Sequence, residues 1–350
     1  MVHVHDYTTI RALLRDPLRV TADVTEAVTP EERDRLHPVS AFVWATDRRT
    51  MSGCPGRHGA LRTAMAPWFT ASAAIARRDT TRAAAQVLAP EPGRPFDVYH
   101  DYAMPVVVSS TADWLGVEDA DVTYGTDDQL AHGEFFEHWP MLSTTAMDDY
   151  YRDLLARARP GGIAAEAREL VAAGVLTERE AWAVLYALSV STVATAAAVT
   201  LAVGLSAEYG TWDRMTDPAD ANAAVQEAIR IGNPFPQASR FVRESLQIGD
   251  VAVRPGDQVL MWLTAANRDL PGPHPEPLDR FDPDRDNAQQ LGFGSGYHLC
   301  GGVHHVREVA VTAVTTLAER CPRLRLAAPW KRFVGIDDGF VAAPADTATP

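Results

Sequence analysis

The spacing of apolar residues along the chain predicts a protein built mainly from helices. Apolar positions recur every three or four residues over long stretches, which is the repeat of one face of an α-helix. Several of these stretches are also rich in strong helix-forming residues. The predicted helices are Tyr7–Arg15, Arg57–Phe69, Ala71–Leu88, Val98–Leu115, Met147–Arg159, Glu178–Leu205, Ala221–Ile231 and Val303–Arg320.

Strands are predicted at only a few places. Val251–Val253 and Gln258–Leu263 alternate as strands do, and the Pro-Gly pair between them favours a turn, so they are expected to form a hairpin. Pro271–Arg285 is dense in Pro and Asp and is expected to be ordered but irregular. Because no linker, repeat or change of composition divides the chain, residues 1–350 are predicted to form one domain.

The longest apolar segment raises the question of a membrane span. Ala181–Ala207 contains no charged residue and is long enough to cross a bilayer. However, seven Ser, Thr or Tyr side chains interrupt it, and its flanks Glu180 and Glu208 are acidic rather than basic. A helix that is apolar on all sides also suits the centre of a large soluble domain, which is the interpretation we favour over a span.

Composition narrows the class of protein. The 32 Lys and Arg residues against 46 Asp and Glu residues give a net charge of −14, and 46% of residues are hydrophobic, which indicates a folded acidic protein. Such a surface repels phosphate backbones, so no nucleic-acid partner is expected. Cys54, Cys300 and Cys321 are too few and too scattered for a disulfide framework. With no basic and apolar leader at the start, we expect a cytoplasmic protein.

One glycine-rich segment, Leu291–Gly302, combines flexible backbone with a single cysteine just before a predicted helix. Glycines there permit a tight turn and a close approach of the backbone to a flat ligand. A thiolate at a helix N-terminus is stabilised by the helix dipole, which suits an iron ligand. A dinucleotide-binding loop needs a different glycine spacing, and a zinc site needs further Cys or His ligands nearby.

The order and spacing of this loop resemble the haem-binding loop of the cytochrome P450 family. The matching positions are Phe293, Gly294, Gly296, His298, Cys300 and Gly302. Upstream, Glu227 and Arg230 resemble the family's Glu-x-x-Arg helix, whose ion pair is expected to be joined by Arg280. Pro255-Gly-Asp and Ala266-Asn-Arg-Asp resemble segments of bacterial members of the family, and they follow along the chain in the same order. The resemblance implies a mainly α, P450-like fold with a long central helix and small β-sheets.

The same resemblance assigns a cofactor site. Cys300 would be the axial ligand of the iron in haem b, and Phe293, Gly294 and Gly302 would shape the loop that holds it. The side chains that would bind the haem propionates are His58, Arg62, Arg240 and His298.

The central helix departs from the family pattern, in which an acid precedes a threonine and the pair relays protons during oxygen activation. Counting back from Glu227, the corresponding segment is expected at Leu188–Thr192, where Thr192 is retained and Ser191 replaces the acid. A serine hydroxyl cannot act as a proton reservoir near neutral pH. Either water or the substrate supplies the proton for an ordinary hydroxylation, or the reaction is oxidative coupling, cyclisation, N-oxidation or dehydration.

The resemblance also implies partners. Electrons would come from NAD(P)H through a ferredoxin reductase and a ferredoxin, which would dock near the Cys300 loop. The arginines expected to supply positive charge there are Arg57, Arg62, Arg307, Arg323 and Arg325. The chain starts later than bacterial relatives do, so we expect either that the family's N-terminal portion is absent or that the start codon was placed late. A shortened sheet edge would be exposed and would favour a homodimer.

Substrate contacts are expected from three places in the family's topology. These are Phe42 to Trp44, the helix positions Leu188 and Val190, and Phe235 to Gln237. Their apolar character favours a small or medium organic molecule, free or bound to a carrier, in a bacterial natural-product pathway. The expected activity is therefore that of a monooxygenase. A catalytically silent recruitment module and a haem-based sensor are the rival hypotheses.

Overall fold

The structure is a computed structural model that describes residues 1–21, 57–91, 93–123, 144–333 and 339–347. Its α-helices are numbered α1 to α11 in chain order. They are α1 Tyr7–Leu14, α2 Arg57–Met65, α3 Ala71–Ile75, α4 Arg78–Leu88, α5 Met104–Leu115, α6 Thr144–Arg157, α7 Ile163–Ala172, α8 Glu178–Glu208, α9 Pro218–Gly232, α10 Leu263–Ala266 and α11 Val303–Arg320.

The described strands are short and form small sheets. They are β1 Val2–Val4, β2 Val20–Thr21, β3 Phe96–Asp97, β4 Gln237–Val242, β5 Leu246–Ile248, β6 Val251–Val253, β7 Gln258–Trp262, β8 Leu324–Leu326, β9 Lys331–Phe333, β10 Gly339–Ala342 and β11 Pro344–Thr347. The largest sheet has the order β1-β7-β4-β2, with β1 parallel to β7 and the other pairs antiparallel. The expectation of a mainly helical fold with small sheets is confirmed.

The long helix α8 lies at the centre of the packing. Thr177 caps its start: the threonine hydroxyl accepts from the Glu180 N–H, and the Glu180 carboxylate accepts from the Thr177 N–H. Its 31 residues correspond to about 46 Å of helix. The first half packs with α5, α6 and α7, and the second half packs with α9 and α11.

This packing bears on the question of a membrane span. Residues Glu180–Glu208 are long and apolar enough to cross a bilayer, but 82% of the most apolar window is buried inside the protein. The apolar surface of α8 is therefore covered by neighbouring helices rather than available to lipid. This is the arrangement expected of a core helix.

Several predicted elements differ from those observed. The segment Ala71–Leu88 forms two helices, α3 and α4, because the chain turns at Ala76 and Arg77. The predicted hairpin is wrong in its pairing, although both strands exist. Strand β6 pairs with β5, whereas β7 pairs with β4 and β1, so the Pro-Gly turn passes the chain from one sheet to another.

A buried ion cluster ties α9 to the irregular segment after α10. Glu227 and Arg230 are fully buried and form two hydrogen bonds of 2.7 Å, from Nε and Nη2 of the arginine to the two carboxylate oxygens. The third member is Arg285, whose Nε lies 3.2 Å from Glu227 Oε1. Arg280, predicted for this role, instead has a largely exposed side chain paired with Glu276 at 2.8 Å. Only its backbone carbonyl reaches the cluster, 3.4 Å from Arg230 Nη2.

Candidate active site

A cavity of about 280 Å³ lies between the middle of α8, the end of α9, strand β4 and the glycine-rich loop. Much of its wall is apolar and comes from Leu14, Ile229, Pro234, Phe235, Leu263, Phe293 and Val306. Its polar side chains are those of Ser191, Thr195, Asn233, Gln237, Arg240, His298 and Cys300. None of the described lining residues is Asp or Glu. The cavity therefore offers hydrogen-bonding groups, the cation of Arg240 and one thiol within a largely apolar wall.

The glycine-rich loop is folded so that Cys300 reaches the cavity. The Gly294 N–H donates to the Leu291 carbonyl at 2.8 Å, and the Cys300 N–H donates back to the Phe293 carbonyl at 2.9 Å. Gly294 and Gly296 have φ of +74° and +70°, which residues with a Cβ rarely adopt. A Cβ on Gly296 would also lie 2.8 Å from the Cα of Arg15, just after α1. Both positions therefore favour glycine for conformation, and Gly296 also for space.

Cys300 has an environment that disfavours a free thiolate. Burial raises the pKa of its thiol, and a backbone hydrogen bond from Gly302 and the charge of Arg62 oppose that rise only in part. The helix start alone, which the sequence suggested would stabilise a thiolate, does not outweigh desolvation here. A metal ion is the partner that would keep this sulfur deprotonated, because coordination removes the thiol proton.

Two of the predicted propionate partners lie in the cavity wall. Arg240 is on β4, 9% exposed, and its Nη1 donates to the Ser239 carbonyl at 2.8 Å. His298 lies in the short 3₁₀ turn Gly296–His298, two residues before Cys300. Arg62 is not part of the lining. Its Nη2 donates to the carbonyl of Leu299 at 2.9 Å. It therefore contacts the cysteine loop directly.

The face of α8 that meets the cavity differs from the predicted one. Ser191 lies in the lining as expected, together with Ala194, Thr195 and Ala198. Thr192 is fully buried outside the lining, and its hydroxyl donates to the Ser189 carbonyl at 2.6 Å. The cavity threonine is Thr195, whose hydroxyl donates to the Ser191 carbonyl at 2.9 Å.

Counting helical positions forward from Ser191 predicts this face. The residues three, four and seven positions later are Ala194, Thr195 and Ala198, and such positions share one side of a helix. Counting back from Glu227 instead assumed a fixed number of residues between α8 and α9. The residue directly before the cavity threonine is then Ala194, not Ser191, and it too has no acidic group.

The remaining predicted residues divide into those near the cavity, those away from it, and those outside the described residues. Phe235 and Gln237 line the cavity, and their role as substrate contacts stays a prediction. Leu188 is packed in the hydrophobic core beside α6 and α7, and Gly302 precedes the first residue of α11. Phe42 and Trp44 lie outside the residues that the structure describes. The side chains of Arg57, His58 and Val190 also lie outside the described part.

The arginines expected near the loop are also divided. Arg307 lies one turn beyond the start of α11, with its guanidinium 5.5 Å from the ring of Phe293. Arg323 and Arg325 follow the other end of α11, whose 18 residues span about 27 Å. They are therefore not part of a charged patch around Cys300.

The donor set fits the haem that the sequence resemblance implies. Among the described residues no group of three His, Cys, Asp or Glu side chains could hold a metal ion, so Cys300 offers one protein ligand to a metal that needs others. A macrocycle supplies those others, and its flat apolar body matches the apolar wall. Arg240 and His298 can bind its carboxylates.

A second, larger cleft of about 740 Å³ lies on the surface between α4 and α5. Its lining includes Val87, Leu88, Met104 and Val108, and it adjoins Thr123, the last described residue before position 144. It does not include Cys300 or the polar groups named above. The smaller cavity is therefore the candidate active site.

Comparison with known proteins agrees with this geometry. The sequence model of the family described as "Cytochrome P450" matches residues 211–304. Cytochrome P450 107B1 of Saccharopolyspora erythraea is 32% identical over 243 residues, which cover 66% of this chain and 59% of that protein. The erythromycin C-12 hydroxylase of the same organism is 26% identical over 356 aligned positions, which cover 92% of this chain and 82% of the relative.

Solved structures extend the agreement to the fold. A mutant of P450 EryK in complex with erythromycin B has a TM-score of 0.84 and 25% identity, covering 99% of this chain and 90% of that one. Ligand-free CYP164A2 of Mycobacterium smegmatis has a TM-score of 0.82 at 23% identity, with the same coverage, which concerns the fold alone. The cysteine loop and the central helix line one cavity, the buried Glu-x-x-Arg cluster lies on the helix that ends at its wall, and the chain belongs to the cytochrome P450 family.

Proposed function

We propose that the protein is a haem-thiolate monooxygenase that oxidises a small or medium organic molecule with electrons from NAD(P)H, delivered through a ferredoxin reductase and a ferredoxin. One observation carries this proposal: Cys300 lines a largely apolar cavity that is also lined by the hydroxyl-bearing residues Ser191 and Thr195 of α8. When bound, haem b would supply the oxygen activation that no protein side chain can perform. The chain would act as one domain.

The residues of the chain would hold the cofactor in three ways. Cys300 would be the axial iron ligand, and a thiolate in that position favours O–O cleavage. Arg240 and His298 would bind the propionates. Arg62, bonded to Leu299, would fix the cysteine loop and keep its own positive charge near the sulfur, with His58 as its expected neighbour.

On the oxygen side, Thr195 would orient water or a protonated donor, because its hydroxyl is held by the Ser191 carbonyl and faces the cavity. Ser191 is similarly held, with its hydroxyl 2.7 Å from the Leu188 carbonyl. Since Ala194 precedes Thr195, protons would reach the site through water or from the substrate rather than from a carboxyl group on α8.

The same observation favours a second candidate reaction. The described cavity lining has no carboxyl group, so a reaction with lower demand for delivered protons, such as oxidative coupling, cyclisation, N-oxidation or dehydration, fits the site as well. The retention of Cys300, Arg240 and His298 around one cavity speaks against a silent recruitment module, because a scaffold does not need these groups together.

The substrate class is proposed from the cavity and from the relatives. Pro234, Phe235 and Leu263 form an apolar wall that suits an organic molecule. Relatives include an erythromycin C-12 hydroxylase, which supports a role in bacterial secondary metabolism in the cytoplasm. A carrier-bound substrate remains part of the proposal, since a structure of the same fold, P450BioI, is described in complex with a ligated acyl carrier protein.

The electron donor would dock on the outer side of the cysteine loop. Arg62 and Arg307 supply local positive charge there on a chain of net charge −14. Leu299, whose side chain is 42% exposed, provides an apolar contact beside them. Local charge of this kind would orient an acidic partner during encounter.

The test is the carbon monoxide difference spectrum of the reduced, purified protein. We expect a thiolate-type Soret band that disappears in Cys300→Ala. Cys321→Ala is the matched control, because that thiol is buried beside Pro90 far from the cavity, and it should keep the band. A spectrum without haem, or one unchanged in Cys300→Ala, would refute the proposed site.

A further inference from the structure

Asn233 places a buried amide on the wall of the active-site cavity. It follows the last residue of α9, is 0% exposed, and lines the cavity beside Pro234 and Phe235. Its backbone N–H donates to the Ile229 carbonyl at 3.0 Å, which ends the helix. No sequence pattern singles out this residue, because a polar residue before a proline is ordinary at a helix end.

The orientation of the amide is fixed by its neighbour. The backbone N–H of Phe235 lies 3.2 Å from Asn233 Oδ1, and an N–H can only donate, so the oxygen must face the backbone. The amino group, Nδ2, is therefore the other end of the side chain. It carries two N–H donors.

These donors have no acceptor among the described residues. Asn233 Nδ2 is buried without a hydrogen-bond partner. Leaving a buried donor unsatisfied is costly, and most buried polar groups are paired with protein, water or a ligand. An unpaired amide on a cavity wall therefore points to an acceptor supplied by whatever fills the cavity.

The surrounding groups restrict which acceptor this is. The cavity lining has apolar residues such as Ile229, Pro234 and Leu263, and none of its polar side chains is bonded to this donor. Under the proposed function, the carboxylates of the cofactor are taken by Arg240 and His298. The organic substrate is then the molecule left to provide an acceptor.

We propose that Asn233 Nδ2 donates a hydrogen bond to an oxygen of the substrate, which is thereby a molecule with a carbonyl, ether or hydroxyl oxygen rather than a plain hydrocarbon. This bond selects such substrates and orients them in the cavity. The proposal rests on the proposed haem-thiolate function of the same cavity. It makes Asn233 a specificity residue, which takes no part in proton transfer.

Two variants separate the donor from the packing. Asn233→Leu is close in size and removes the amide. Asn233→Asp keeps an oxygen to accept from the Phe235 N–H and removes the amino group. The matched control is Asn222→Asp on the same helix, whose side chain lies in a different surface cleft about 16 Å along α9.

The probes are phenylimidazoles, whose imidazole binds haem iron directly and so needs no knowledge of the natural substrate. Isomers with an acetyl group at the ortho, meta or para position are compared with the isopropyl isomers of the same shape, by following the Soret shift. We expect wild-type protein to prefer at least one acetyl isomer, and both Asn233 variants to lose about tenfold of that preference. Asn222→Asp should retain it.

The outcomes distinguish this proposal from the proposed function. A normal haem spectrum with unchanged acetyl-to-isopropyl ratios in both Asn233 variants would overturn the role of Asn233 alone. Absence of haem or of any imidazole shift in wild-type protein would overturn the proposed function, and the role of Asn233 with it. If one Asn233 variant binds no haem, the other decides the question.

Discussion

At the scale of single residues, His305 shows how burial near the site alters an ionisable group. It lies on α11, is buried, and stacks on Trp114 with ring centroids 3.8 Å apart. Burial, helped by the charge of Arg77, lowers the pKa of its imidazole to about 3. The ring is therefore neutral in the folded protein at neutral pH.

This burial predicts a specific acid sensitivity. Above pH 6.5 the histidine is neutral in both folded and unfolded chains and adds no pH dependence. Between about pH 6.5 and 3 only the unfolded chain takes up the proton, so the free energy of unfolding falls by about 1.4 kcal/mol for each unit that the pH falls. His305→Leu should remove this slope. Urea unfolding at pH 7.5 and pH 5 should show the variant gaining about 2 kcal/mol on wild type at the lower pH.

His304→Leu is the control for this measurement, because the His304 side chain is exposed on the same helix. Its difference from wild type should be the same at both pH values. An equal response of the two variants would mean that His305 is solvated in the folded protein.

A second residue-scale prediction separates the two threonines of α8. Thr195→Val keeps the shape of the side chain and removes the hydroxyl that faces the cavity. We expect several-fold more hydrogen peroxide per NAD(P)H oxidised, measured with a surrogate ferredoxin and reductase, because protons and water would be less well placed. Thr192→Val should leave the ratio unchanged, since that hydroxyl is bonded to Ser189 outside the lining. The reverse pattern would restore Thr192 to the oxygen side.

The sequence could predict the cysteine loop but not this threonine, for a physical reason. Gly294, Gly296 and Cys300 are constrained by backbone conformation and spacing, which are local properties of a short segment. The face of α8 is not local, because this helix is apolar all round and its rotation is set by the helices packed against it. The carboxyl-free cavity and Asn233 likewise depend on which residues meet in space.

At the scale of elements, the ion cluster around Glu227 joins α9 to the segment that leads into the cysteine loop. Besides its bonds to Glu227, Arg230 donates to the carbonyls of Asn267 at 2.9 Å and Leu278 at 2.6 Å. Arg285 donates to the carbonyls of Glu276 and Pro277 at 3.1 and 3.0 Å. These bonds satisfy the backbone of a segment that has no helix or strand of its own between α10 and residue 296.

Breaking this cluster should destabilise the fold strongly. Arg285→Ala leaves the Glu227 carboxylate buried with one cation fewer, and we expect a loss of about 3 kcal/mol in the free energy of unfolding. Arg280→Ala is the matched control, because its exposed pair with Glu276 should contribute less than about 1 kcal/mol. Urea unfolding of the two variants decides between them. A larger loss of unfolding free energy in Arg280→Ala than in Arg285→Ala would support Arg280, the residue predicted from the sequence, as the third member of the cluster.

Sequence patterns located these elements better than they located their partners. The helices α8 and α11 follow from apolar spacing, and the strands β6 and β7 from their alternation and the intervening turn. Strand pairing is decided by contacts distant in sequence. Thus β7 pairs with β1 across more than 250 residues, and no pattern near the turn carries that information.

At the scale of the whole molecule, the cavity is where the separate hydrophobic clusters of the fold meet. Among the lining residues, Leu14 and Leu263 belong to the hydrophobic cluster around the four-stranded sheet. Ala198 and Ile229 belong to the cluster around α8, α9 and α11. A ligand that fills this space contacts chain segments from residue 14 to residue 306. Its binding should therefore stabilise the molecule as a unit rather than one loop.

This arrangement predicts that haem loading controls thermal stability. A ligand that binds only the folded state adds about 2.7 kcal/mol when present at one hundred times its dissociation constant. We expect protein reconstituted with haem to melt about 4 °C above haem-free protein, by differential scanning calorimetry. Cys300→Ala should show a smaller rise, because it loses the bond from sulfur to iron but keeps the apolar walls, whereas Cys321→Ala should show the full rise. Equal melting temperatures with and without haem in the wild-type protein would mean that haem does not bind the folded state, which would contradict the proposed site.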